Sequence, residues 1–226
     1  MFAWIKQVFS ILEKDIRSEF RQKYAISGIL MFAFVVVIAV SFALSGIKPG
    51  PRFGAILFWI TVLFADLAGF AHSFIKEEEE QTALALKLCT EPAVIFWGKM
   101  LFNVFLATVL LVTIIPLSII FLGLVTDHWL DFILFAFFAS LAMTVGTTLI
   151  AAITAKASGR GPLFTILSFP VLLPVLIVAI KATYAILSGN TLMEQLNELI
   201  TVISYIMLKG AIGHLLFEQV WQDASK

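Results

Sequence analysis

Charge is what this 226-residue sequence has least of: Asp, Glu, Lys and Arg make up 13% of it, with 15 acids balancing 15 bases. Soluble domains carry about a quarter charged residues, so there are too few here to solvate a soluble fold. The zero balance also removes the basic excess that a nucleic-acid partner demands. A single cysteine, Cys89, excludes an internal disulfide and any paired-cysteine metal or haem-attachment motif. No G-x-x-x-x-G-K-[ST] phosphate loop exists, since Gly98-Lys99 lacks the upstream glycine. The chain therefore binds no ATP in that manner, and any ATP-driven role needs a separate chain to supply it.

Hydrocarbon is abundant instead. Hydrophobic residues make up 61% of the chain, Phe alone numbers 22, and the mean hydropathy is +1.02. A bilayer core about 30 Å thick takes roughly 20 residues of apolar helix. Six segments qualify, at about 25–46, 54–75, 94–123, 131–155, 163–187 and 197–219. Continuous runs such as Ile29–Leu44 exclude the alternating pattern of a β-barrel, the other architecture that spans a bilayer. The first segment starts too late and runs too long for a signal peptide, so it is read as a retained helix. The expectation is an all-α integral membrane protein, with residues 1–226 forming one membrane domain.

Basic residues orient it. Lys6, Lys14, Arg17, Arg21 and Lys23 precede the first span, and with six spans the same side receives Lys76, Lys87, Lys156, Arg160 and Lys226. The opposite loops hold Lys48 and Arg52. The positive-inside rule then puts both termini in the cytoplasm.

Residues 1–24 carry Ile5, Val8, Phe9, Leu12, Ile16 and Phe20 at three- and four-residue spacing, with Lys6, Glu13, Lys14, Arg17 and Arg21 around the other side. That is an amphipathic helix in the cytoplasmic interface, its basic face toward headgroups. Lys14, Asp15, Arg17, Glu19 and Arg21 are its candidate functional residues, in anchoring or in transmitting motion. Between the second and third spans lies the acidic and leucine-bearing segment 76–92. Its composition favours a short cytoplasmic helix ended by Pro92. Glu77, Glu78, Glu79, Glu80, Gln81, Thr82, Leu84, Leu86 and Leu88 are its candidate docking residues for a soluble partner; the plainer reading of the glutamates is a solvated face.

Inside the membrane, Pro170 and Pro174 are expected to kink or break the fifth span, since each removes a backbone donor. Asp66 and Lys209 lie at matching depths by residue count, so a mutual ion pair is expected, as a latch or as part of a polar path. Lys181 can snorkel to the outer edge without a partner. His72, His128 and His214 form no paired arrangement on one helix face, so none is assigned to iron or another metal. Asp127-His-Trp-Leu-Asp131 reads as a wet interfacial loop anchored by its Trp.

Several stretches together resemble a known family. Leu12-Glu-Lys-Asp-Ile-Arg-Ser-Glu-Phe-Arg-Gln-Lys23, Phe58-Trp-Ile-Thr-Val-Leu-Phe64, Phe74-Ile-Lys-Glu77, Thr82-Ala-Leu84 and Gly98-Lys99-Met-Leu-Phe-Asn103 are similar to segments of the haem exporter protein B family (CcmB). So are Pro116, Gly146 and Phe169-Pro-Val-Leu-Leu-Pro-Val-Leu-Ile177. His72, Gln81 and Gly161 depart from its usual residues. The resemblance implies an ABC-2-type permease of six transmembrane helices in the bacterial inner membrane, acting in cytochrome c maturation as a homodimer. It implies a partner ATPase (CcmA-like) that holds the ATP and a haem-handling membrane subunit (CcmC-like). Haem enters as the transported or handled species, through export or through release of a haem-loaded chaperone. It implies no catalytic residue and no cofactor of the chain's own. The alternatives are an ABC-2-type permease for another lipophilic substrate and an ATP-independent secondary transporter. An intramembrane enzyme using Asp66 and His72 ranks last, because six residues on a helix turn them about 120° apart.

Overall fold

The computed structural model describes residues 2–70, 90–154 and 160–222. In chain order it has α1 (Phe2–Gln22), α2 (Tyr24–Ala43), α3 (Pro51–Phe70), α4 (Pro92–Leu122), α5 (Trp129–Thr154) and α6 (Arg160–Leu187). A short 3-10 turn (Leu192–Gln195) then leads into α7 (Leu196–Gln222). Among the described residues there is no strand, and six helices, α2 to α7, are long and apolar enough to cross a membrane. The chain is an all-α, multi-pass membrane protein, with helix limits close to those the sequence predicts.

Local chemistry sets those limits. Past α2, Ser45 and Gly46 take φ of 49° and 82°, a left-handed turn that ends the helix. Pro92 opens α4 in its first turn, where its missing N–H costs nothing. Gly123 closes α4 at φ 65°. At 31 residues α4 is the longest helix described, about 46 Å at 1.5 Å per residue.

At the centre stands α5, packed against α3, α4, α6 and α7. Of its spanning stretch 72% is buried inside the bundle, against 17% for α7 and 22% for α2, which leaves those two mostly outside the interior of the single chain. Small side chains explain the difference. Ala136, Ser140, Thr144, Thr148 and Ala152 recur every four residues and all are buried, the kind of stripe that lets helix backbones approach. Thr144 and Thr148 donate to carbonyls one turn back, at 2.9 and 2.7 Å, so their hydroxyls enter the core with the donor satisfied.

Three polar links tie neighbours together. The Trp59 indole N–H donates to Thr183 Oγ1 at 2.8 Å, joining α3 to α6. Asn103 Nδ2 donates to Thr148 Oγ1 at 2.9 Å, joining α4 to α5. The Tyr205 hydroxyl donates to the Val171 carbonyl at 2.6 Å, joining α7 to α6.

The bundle has two ends. Ring contact between Phe96 and Phe217 brings the start of α4 together with the end of α7, and α1 lies at this same end. It is the termini end. Loops meet at the opposite end, where Thr126 Oγ1 donates to the Ile186 carbonyl at 3.0 Å and the Leu192 N–H donates to Asp131 Oδ2 at 3.1 Å.

Pro170 and Pro174, expected to kink or break this span, do not break it. The helix runs unbroken from Arg160 to Leu187, with both prolines exposed on its outer face beside Ile166 and Ile177. Neither proline lines the interior of the bundle.

Candidate functional site

The site is built where α1 meets α4. A periodic stripe on α1, Val8, Ile11, Asp15 and Glu19, is buried while most of its remaining surface is open. The spacing of three and four residues keeps all four side chains on one helix face. That face rests on Gly98. A Cβ at this position would lie 2.7 Å from Ile11 Cγ2 and 2.8 Å from Ile11 Cβ, so the seat exists only because the residue has no side chain. We predict that Gly98→Val costs about 1–3 kcal/mol through overpacking, read as a lower thermal midpoint of the detergent-solubilised chain. An unchanged midpoint would mean that α1 does not sit there.

Beside the glycine, Lys99 Nζ lies 2.9 Å from Asp15 Oδ2, with only 2% and 7% of the two side chains exposed. Lys14 Nζ approaches the other carboxylate oxygen at 3.3 Å from the solvent side. An ion pair this enclosed gains little net free energy over apolar residues of the same shape, because both ions lose their hydration. Breaking it from one side is costly, so the pair fixes where α1 sits.

Glu19, one turn further on, joins α1 to α2. Its carboxylate accepts from the Ile26 N–H at 2.8 Å, meeting one of the open donors at the start of α2. A single residue, Lys23, separates the helices. It stands at φ 55°, and its own N–H donates to the Glu19 carbonyl. α1 is therefore attached to α2 by a one-residue joint and to α4 by the Asp15–Lys99 pair.

These contacts redraw the expected helix faces. Asp15 and Glu19 are on the buried face, Lys14, Arg17 and Arg21 are exposed, and Arg17 pairs with Glu13 at 2.5 Å. The apolar residues divide in two: Val8 and Ile11 face the bundle, whereas Ile5, Phe9 and Phe20 stay exposed. Gly98 and Lys99 of α4 seat Ile11 and Asp15 of α1, and sequence periodicity singles out neither as a partner of α1. A signal was present in the placement of two acids four residues apart, in register with Val8 and Ile11.

Asp66 and Lys209 are not brought together. Both Asp66 carboxylate oxygens are fully buried with no hydrogen-bond partner among the described residues, and no ion pair joins them to Lys209. Lys209 Nζ instead lies 5.6 Å from the Tyr205 ring centroid, within its own helix. The reason is lateral. The packing neighbours of α3 are α2, α4, α5 and α6, whereas those of α7 are α4, α5 and α6. Depth counted in residues shows level, not adjacency. Lys181 is also corrected, because it pairs with Glu198 of α7 at 2.7 Å and is not left to snorkel alone.

His214 Nδ1 accepts from the Trp97 indole N–H at 3.3 Å, and Trp97 directly precedes Gly98 of the seat. His128 Nδ1 lies 3.8 Å from Asp131 in the loop at the opposite end, and the neighbouring Trp129 ring contacts Phe132. His72 and the docking residues Glu77, Glu78, Glu79, Glu80, Gln81, Thr82, Leu84, Leu86 and Leu88 lie outside the described residues.

Against known families, residues 6–214 match the family model described as CcmB protein. No curated protein matches the chain. The match takes in α1 from Lys6 onward, the Gly98-Lys99 seat, and every span as far as His214.

Proposed function

Because this chain belongs to the CcmB protein family, the membrane component of a haem-exporter ABC system for cytochrome c maturation, we propose that it is the permease subunit driven by a separate ATPase. Two copies of the chain work with two ATPase subunits (CcmA-like), beside a haem-handling membrane subunit (CcmC-like). The assembly lies in the inner membrane with both termini cytoplasmic, as the basic-residue bias supports. Haem, or a chaperone loaded with it, is the handled species. ATP stays on the partner.

One observation supports the coupling above all: α1 is fastened to two different spans, by the Asp15–Lys99 pair and by the Lys23 joint. A helix held in this way is a lever, since force applied at the termini end must move α2 and α4 together. The ATPase docks on the segment from Glu77 to Leu88, whose sequence combines leucines with glutamates, the apolar and charged residue types that a protein interface uses.

The test is association. Replacing Leu84 and Leu88 together by Asp is expected to abolish co-purification of the ATPase while the chain still inserts and reaches its normal level in the membrane. If the ATPase still co-purifies with the double variant, the segment is not the docking surface.

A further inference from the structure

The charges on α1 are sorted more sharply than its sequence implies. Its three acids are Glu13, Asp15 and Glu19. Two of them turn inward, Asp15 to Lys99 and Glu19 to the start of α2, leaving Glu13 as the exposed acid. Lys6, Lys14, Arg17, Arg21 and Lys23 all remain exposed. The presented surface is therefore strongly basic.

Its direction follows from helix geometry. At about 100° per residue, taking the buried Val8–Asp15–Glu19 line as zero, Ile5, Phe9 and Phe20 centre about a quarter-turn away. Those three are exposed by 40%, 57% and 58%, an apolar flank that stays largely open although the Phe20 ring lies 6.5 Å from that of Phe105 in α4. Lys6, Arg17 and Arg21 centre about half a turn from the bundle and adjoin that flank. Opposite the flank are Gln7 and Ser18. A helix lying in the membrane plane with its flank in the acyl boundary then aims Lys6, Arg17 and Arg21 sideways along the headgroup layer. A soluble protein would meet the Gln7–Ser18 side first.

We infer that Arg17 and Arg21, one turn apart on α1, form a binding site for the phosphate of an anionic phospholipid, with Lys6, about 16 Å further along the axis, meeting a neighbouring headgroup of the same kind. Exposed aromatics for the acyl boundary beside cations at headgroup height fit this ligand and not a soluble one. Guanidinium groups suit phosphate through paired N–H donors. Glu13, bonded to Arg17, is the group that the lipid phosphate competes with. The inference does not depend on which ATPase or cargo the protein serves.

The experiment uses the full chain in neutral detergent, offered equal phosphatidylglycerol and phosphatidylcholine of matched acyl chains, with retained lipid counted by native mass spectrometry. The parent is expected to prefer phosphatidylglycerol by about tenfold or more, given the attraction of each basic residue for an anionic surface. Lys6→Gln/Arg17→Gln/Arg21→Gln is expected to lose the preference while melting as the parent does. Arg17→Gln alone is expected to weaken it, and Lys209→Gln, on another helix, to leave it intact. An excess of glycerol phosphate is expected not to displace the lipid. The inference fails if the parent shows no preference, if the triple variant keeps it, or if glycerol phosphate displaces the lipid as a free-anion site would allow. It also fails if the triple variant keeps the lipid but loses its ATPase, which would make the sector a protein surface.

Discussion

Lys99→Met lowers the stability of the solubilised chain by about 3 kcal/mol, the lower part of the range for stripping one partner from a buried pair. It falls there because Lys14 still stands 3.3 Å from the Asp15 carboxylate and takes up part of its charge. For a chain of this size the thermal midpoint drops by roughly 10 °C. Adding Asp15→Leu recovers most of the loss, since two apolar side chains of similar volume satisfy each other where one stranded carboxylate cannot. A thermal-melt double-mutant cycle reads both effects. Additive losses from Lys99→Met and Asp15→Leu would show that the two side chains are not coupled, and the seat of α1 would then rest on Gly98 alone.

Asp66→Val works in the opposite direction. The carboxyl is fully buried in α3 and neither oxygen has a hydrogen-bond partner among the described residues. A polar group in that state destabilises the fold by about 1–3 kcal/mol, so removing it raises the thermal midpoint by roughly 5 °C. Asp66→Asn keeps an unsatisfied polar group in place and leaves the midpoint near its original value. A fall on Asp66→Val would reveal a group that reaches the carboxyl in the assembled protein. If stability rises while cytochrome c maturation is lost, the residue is kept for function at a cost to the fold.

The spans were legible because each needs only its own composition: twenty apolar residues cross a bilayer whatever their neighbours do. The helix α1 was legible for the same reason, its period being local. Lateral arrangement was not. Asp66 and Lys209 shared a depth on paper, but depth is one coordinate of three, and their helices have different packing neighbours. Pro170 and Pro174 marked lost hydrogen bonds correctly, yet the helix absorbs them on its outer face. The Asp15–Lys99 contact spans 84 positions of the chain, and periodicity within α1 shows that Asp15 shares a face with Val8 without showing what that face meets.

The length of α4 has a mechanical corollary. Its roughly 46 Å exceed the hydrocarbon thickness by about half, a surplus that tilt or projection takes up, and the stretch holding Trp97, Gly98 and Lys99 is the foot of the helix at the termini end, with α1 moored to it. A thinner bilayer bares more of that foot and a thicker one draws it in. Membrane thickness therefore bears on this mooring directly, and the lipid around the protein sets the resting strain against which any motor must work.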